Sequence, residues 1–281
     1  MWTLTGFADE ISQDLTEQIA LLNELGVRHV EFRSAWNTKV LDLTDEQLER
    51  AKAMLDEAGI TLSSVGSDLG KIQITDPFEA HLERAAHAIG VARFFGTPYI
   101  RVFSFFIPEG DDPAQHREAV MDRTRALVRL AEVGGVTLLH ENEKDIYGDV
   151  PDRVVDLLTS IDSPNYRAIF DPANYVQCGV RPFDEAYPKV REFTDYIHCK
   201  DASATEVDAE GLNLVLPCGE GDGQVREMIA ALAESGFDGF FSLEPHLAEF
   251  DAFGGLSGPR LWTKAHAALT GLFTEQGIAW Q

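Results

Sequence analysis

The sequence predicts an α/β protein folded as a (β/α)8 TIM barrel. Three observations predict it. Short β-branched and aromatic runs alternate with longer stretches of helical period, eight times over. The ends of the first and eighth runs, Asp9 and Glu244, lie 235 positions apart. That is about 34 residues per unit, long enough for a parallel crossover. The length of 281 residues suits a barrel, which typically takes about 250. No Pro/Gly/Ser-rich hinge marks a boundary, so residues 1–281 are read as one domain. An open doubly wound sheet is the alternative, but no GxGxxG follows the first run.

Leu4–Ala8 is the first strand. Leu15, Ile19, Leu22 and Leu25 form one helical stripe, which Gly26 stops. Val27–Phe32 is the second strand. Thr44-Asp45-Glu46-Gln47 is a capping box, with Leu48, Ala51 and Leu55 on the face behind it. Gly59 ends that helix before the strand Ile60–Val65. A helix over 78–95 precedes the strand Tyr99–Phe103, and one over 113–133 precedes Val136–Glu141. Pro151 opens a short helix before Arg167–Asp171. Helices near 183–192 and 222–235 precede Asp195–His198 and Phe240–Glu244, and a last helix starts near Pro259.

Composition narrows the function classes. Asp and Glu number 47 against 23 Lys and Arg, a formal net charge of −24. Tracking a phosphate backbone needs clustered cations, so nucleic acid is not an expected partner. Anionic membrane surfaces are disfavoured for the same reason. The chain is 44% hydrophobic and 10% aromatic, enough to build a core. Cys178, Cys199 and Cys218 form no CxxC pair, which argues against a disulfide framework or a thiolate metal site. The N-terminal segment lacks the charged and apolar regions of a signal peptide. No apolar run approaches 18 residues, so a cytoplasmic location is expected.

In such a barrel, chemistry collects at the C-terminal strand ends. Four successive strand ends carry Glu141, Asp171, His198 and Glu244. Three ionised carboxylates on one face would repel one another, and a bound divalent cation is the simplest offset. Three carboxylates and one imidazole make an oxygen-rich site that suits one Mn²⁺ or Mg²⁺, and could accept Co²⁺ or Zn²⁺. No organic cofactor is called for. Each acid alone is more simply a helix cap or a loop ion pair; the argument rests on the coincidence of four.

The segments Leu139-His140-Glu141-Asn142, Phe170-Asp171-Pro172-Ala173-Asn174, Ile197-His198-Cys199-Lys200-Asp201 and Ser242-Leu243-Glu244-Pro245-His246 resemble the metal-binding strands of the xylose-isomerase-like TIM barrels. These are sugar phosphate isomerases and epimerases, with ketose 3-epimerases and inosose-type dehydratases among them. The resemblance implies Glu141, Asp171, His198 and Glu244 as metal ligands, with Glu141 and Glu244 also the acid/base pair. Two positions depart from the usual pattern: Asn174 and Glu143 stand where many relatives carry histidine. Asn174 can hold a substrate hydroxyl but cannot shuttle a proton.

The expected reaction removes a proton beside a carbonyl to leave an enediolate. Glu141 and Glu244, from strands five and eight, are expected to flank the substrate. Lys200 shares parity with His198 and either binds a substrate oxygen or pairs with Asp201 or another rim acid. His246 is a substrate contact or a rim histidine bonded to a loop. Arg33 could grip substrate, but a pair with Glu31 on the same strand face is the simpler expectation. Phe103 and Phe105, with Phe7 and Trp36 at other strand ends, could wall a sugar ring or pack in the core. Gly219–Gly223 is rich in glycine, but its acids argue against a phosphate cradle, and a flexible loop is expected.

The leading function is therefore a metal-dependent isomerase or epimerase of a keto sugar or polyol. A dehydratase or 3-keto-glycoside lyase would use the same base and metal. An abasic-site endonuclease shares the barrel but needs more histidines and less negative charge. A non-catalytic sugar-binding barrel would not need both Glu141 and Glu244. A homo-oligomer is a weak expectation.

Overall fold

The computed structural model describes residues 1–208, 211–247, 250–251, 254–255 and 257–281. Eight parallel strands form one sheet: β1 (Thr3–Gly6), β2 (His29–Phe32), β3 (Thr61–Leu69), β4 (Tyr99–Val102), β5 (Thr137–Glu141), β6 (Tyr166–Phe170), β7 (Thr194–Cys199) and β8 (Phe240–Leu243). From β2 to β8 each strand pairs with the next in sequence, and β8 pairs with β1. β1 and β2 face each other across the last gap, so the barrel is nearly closed.

Outer helices connect the strands: α1 (Leu15–Glu24), α2 (Asp45–Ala58), α3 (Glu79–Phe95), α4 (Pro113–Gly134) and α5 (Pro151–Ile161). α2 starts at the capping box, with Thr44 and Gln47 each bonding the other's backbone N–H. It stops at Gly59, whose φ of 67° is the left-handed value that glycine adopts without strain. The helical stripes and the outward strand faces share one continuous core that includes Leu15, Leu22, Leu55, Phe32 and Ile100. Inside the barrel, Leu139, Ile169 and Tyr196 form a separate apolar layer.

Several elements differ from the sequence reading. β3 runs on to Leu69 rather than ending near 65, and its register with β2 and β4 shifts along the way. A short helix, α6 (Pro172–Gln177), follows β6 at once, with Asp171 as its N-cap. The expected helix at 183–192 is three pieces: a π-turn at Pro182–Ala186, α7 (Tyr187–Val190) and a 3₁₀ turn at Arg191–Phe193. After β7 the chain forms a hairpin, Asp201–Val207 against Asn213–Leu216, which the sequence reading missed. α8 (Val225–Ser235) starts three residues later than expected, and α9 (Gly258–Glu275) is in place.

The 219–223 loop is not slack. Backbone N–H groups of Gly219, Gly221 and Gly223 donate to the Asp201 carboxylate at 2.9, 3.1 and 2.8 Å, and Ala202 donates at 2.8 Å. A Cβ at Gly221 would stand 2.4 Å from Asp201 Oδ1. Glycine here lets the loop close on that carboxylate.

Candidate active site

The C-terminal strand ends open into a cavity of about 300 Å³, lined by Arg33, Arg101, Glu141, Asn174, Lys200, Glu244 and His246 among others. Below it, Glu141, Asp171, His198 and Glu244 converge. Each offers one ligand atom, and the four atoms lie within 4.8 Å of one another. All four residues are buried.

β7 carries His198 to the centre. Its Nδ1 lies 3.2 Å from Glu141 Oε1, 3.2 Å from Glu244 Oε2 and 3.7 Å from Asp171 Oδ2. That nitrogen makes no well-aligned hydrogen bond to any of them. A buried polar atom aimed at three carboxylates is what a cation site needs. The donor set therefore fits a hard divalent ion.

Cations of the chain surround the cluster. Lys200 Nζ lies 2.9 Å from Asp171 Oδ2 and 3.0 Å from Glu244 Oε2. Arg101 Nη1 donates to Glu141 Oε2 at 3.1 Å and reaches to 3.6 Å from Glu244 Oε1. Burial disfavours the charge of Lys200, but Asp171 and Glu244 outweigh it and push the ammonium pKa up. Burial also opposes ionisation of Glu141, yet His198 and Arg101 beside it hold its carboxyl below the usual range. Glu244 is likewise held well down, against burial, chiefly by the Lys200 ammonium.

Asn142 and Asn174 fix the acids in place. The Asn142 side chain donates to Asp171 O and accepts from Asp171 N–H, both at 2.9 Å. Asp171 Oδ1 caps α6 by accepting from Asn174 N–H at 2.8 Å. The Asn174 amide donates to Glu141 Oε1 at 3.1 Å and to Asn142 O at 2.9 Å. Both amide donors are thus used by the protein, and Asn174 faces the cavity mainly as an acceptor.

One expected pairing is corrected and another is made specific. Arg33 does not pair with Glu31. Its Nε donates to Asp9 Oδ2 at 2.7 Å, and its Nη1 lies 3.5 Å from Glu244 Oε1. Near-closure of the barrel brings the loop after β1 against the end of β2, a contact strand parity does not reveal. Lys200 pairs with the rim acids Asp171 and Glu244 rather than with Asp201, whose carboxylate holds the glycine loop. The strand-end Phe103 and Phe105 are buried. Phe103 lies under the Lys71 ammonium at 4.3 Å and near Arg101. Lys71 in turn pairs with Glu143 at 2.7 Å.

Arg101 and Glu10 received no role from the sequence. Phe7 lies between two guanidinium groups, Arg33 at 4.5 Å and Arg101 at 4.7 Å from its ring centre. Nothing in the sequence ties Arg101 to Glu141, 40 positions away. Glu10 is fully buried and accepts the His246 backbone N–H at 2.8 Å. Burial pushes its carboxyl up to about 8. His246 Nε2 lies 3.3 Å from Glu10 Oε1 and 3.5 Å from Glu244 Oε1, and burial pushes that imidazole pKa well down.

A nearly closed eight-stranded parallel barrel with carboxylates and a histidine converging at its C-terminal end defines the class of protein. The chain belongs to the xylose isomerase-like TIM barrel family, which it matches over residues 19–270. It is similar to 3-dehydroshikimate dehydratase of Bacillus anthracis, 23% identical over 194 residues, covering 68% of each chain. It is also similar to 2-epi-5-epi-valiolone 7-phosphate 2-epimerase of Actinoplanes sp. (strain ATCC 31044 / CBS 674.73 / SE50/110), 29% identical, over 66% of this chain and 64% of that one. Among solved structures, a xylose isomerase-like TIM barrel protein from Mycobacterium smegmatis in complex with magnesium superposes with a TM-score of 0.71. It is 22% identical, with 98% of this chain and 96% of that one covered. The characterised relatives are thus an epimerase and a dehydratase. No helix among the described residues is long and apolar enough to cross a membrane.

Proposed function

We propose that the protein is a divalent-metal-dependent isomerase or epimerase of a keto sugar or polyol. One observation carries the reading: the ligand atoms of Glu141, Asp171, His198 and Glu244 lie within 4.8 Å of one another in a buried pocket floor. These four residues would hold the ion, with Mn²⁺ the first choice and Mg²⁺, Co²⁺ or Zn²⁺ alternatives. The ion supplies Lewis acidity, which offsets negative charge developing on substrate oxygens.

The chain's own groups do the proton work. One of Glu141 and Glu244 takes the proton from the carbon beside the carbonyl; either it returns that proton to the neighbouring position, or the other carboxylate, first protonated from water, delivers a proton to the opposite face. Arg101 sits against both carboxylates and keeps them ionised until substrate arrives. Lys200, already among the acids, presents its ammonium to the developing oxyanion. Arg33, Asn174 and His246 line the cavity and orient substrate hydroxyls.

A dehydratase is the second reading, favoured by the B. anthracis relative. There the same base forms the same carbanion, and its electron pair expels a β-hydroxyl, which leaves as water once protonated. Incubation with ketoses, inososes and 3-keto-glycosides in D₂O with Mn²⁺ separates the outcomes by mass. Isomerisation adds deuterium without loss, dehydration loses water, and glycoside cleavage loses the aglycone. Absence of exchange and turnover across the panel refutes the proposal.

A further inference from the structure

Glu31 is a carboxylate that the mechanism above does not use. It lies on β2, inside the barrel and beneath the acid cluster, with no exposed surface. Burying a carboxylate so far from water is costly unless donors meet it. Two donors do. Ser242 Oγ donates to Glu31 Oε2 at 2.7 Å, and His198 Nε2 lies 3.2 Å from the same oxygen. Ser242 and His198 are register partners on β8 and β7, and both reach Glu31 through the barrel interior.

The His198 ring is also clamped. Phe7 meets it edge-on at 5.3 Å and Tyr196 at 5.9 Å between ring centres. With Nε2 facing Glu31, Nδ1 must face Glu141, Asp171 and Glu244. Imidazole has two nitrogens, and only a bare one can ligate a cation.

We propose that Glu31 is the positioning residue of the metal site: by accepting the Nε2 proton of His198, it keeps Nδ1 bare and aimed at the three carboxylates. This rests on the reading of Glu141, Asp171, His198 and Glu244 as metal ligands. Outer carboxylates that accept the second N–H of a metal-bound histidine raise its basicity and fix its tautomer. Removing such a partner typically lowers metal affinity by about 10–100-fold.

The test is Mn²⁺ affinity by calorimetric titration of three proteins: wild type, Glu31→Gln and Ser63→Ala. The Gln variant keeps the volume and loses the charge. Ser63 is also buried inside the barrel, where its hydroxyl bonds Tyr196 and Thr5 rather than His198. The expected result is at least a tenfold loss for Glu31→Gln and a change within about twofold for Ser63→Ala. Equal losses in both variants would mean a merely structural role, and an unchanged Glu31→Gln would also overturn the proposal. If Glu31→Gln fails to fold, ¹⁵N-histidine spectra of Zn²⁺-loaded wild type decide. A proton on Nε2 of His198 is expected, and a proton on Nδ1 overturns the assignment. If wild type binds no divalent cation, the metal reading itself fails, a result distinct from equal binding by wild type and Glu31→Gln.

Discussion

Lys200→Met gives the sharpest test of how charge is balanced in the pocket. Lys200 is buried, and its ammonium lies 2.9 Å from Asp171 Oδ2 and 3.0 Å from Glu244 Oε2. Methionine keeps much of the stem volume and removes the cation. Removing one partner of a buried ion pair costs about 3–5 kcal/mol, because the other charge stays buried without compensation. An unfolding entropy of about 2.1 cal/mol/K per residue over 281 residues converts this to a Tm loss of roughly 5–8 °C. The same substitution removes a cation that competes with a metal ion for Asp171 and Glu244. Saturating Mn²⁺ should therefore raise the Tm of the variant by more than it raises that of wild type. Differential scanning fluorimetry of metal-free and Mn²⁺-loaded samples reads both effects. A metal-free variant as stable as wild type would refute the charge argument. A metal-induced rise no larger than that of wild type would refute the idea that Lys200 and the ion share the same carboxylates.

Other perturbations test the surrounding structure. Asp201→Ala leaves two buried N–H groups, Ala202 and Gly223, without their acceptor, which should cost about 2–5 kcal/mol by denaturant titration. Gly66→Ala would place a Cβ 2.9 Å from Phe7 Cε1 and 3.1 Å from Arg33 Cβ. Overpacking of about 1–3 kcal/mol is expected, together with lower kcat as Phe7 and the arginines beside it shift. His81 Nε2 accepts the Gly70 N–H at 2.8 Å, and burial holds that imidazole pKa below its usual value. The unfolded chain takes up the proton first, so this contribution is full above about pH 6.5 and is lost as pH falls through the folded value. The stability advantage of wild type over His81→Gln should therefore shrink between pH 7.5 and pH 5, and a constant difference would count against it.

Much of the barrel was legible because each strand is a short apolar run and several helices end at glycines such as Gly59, Gly96 and Gly135. The strand-end positions of Glu141, Asp171, His198 and Glu244 were legible for the same reason. What the sequence hides is distance across the barrel. Arg33 finds Asp9 rather than Glu31 because near-closure juxtaposes two loops that a linear pattern keeps apart. Glu31 finds His198, 167 positions away, through the barrel interior. The hairpin after β7 was missed because its strands, Asp201–Val207 and Asn213–Leu216, are short, irregularly paired and only partly apolar. The pieces between 182 and 193 were merged into one helix because π, α and 3₁₀ turns are hard to tell apart by apolar spacing over so few residues.

The Asn142 clasp on Asp171 works like an added rung of the β5–β6 ladder, built from a side chain. It sets the gap between two neighbouring acids by the pitch of the sheet rather than by the loops above them. Rim loops can then lengthen, shorten or change sequence to suit a different guest while that gap stays fixed. In this barrel the part that tells substrates apart and the part that grips charge can drift independently.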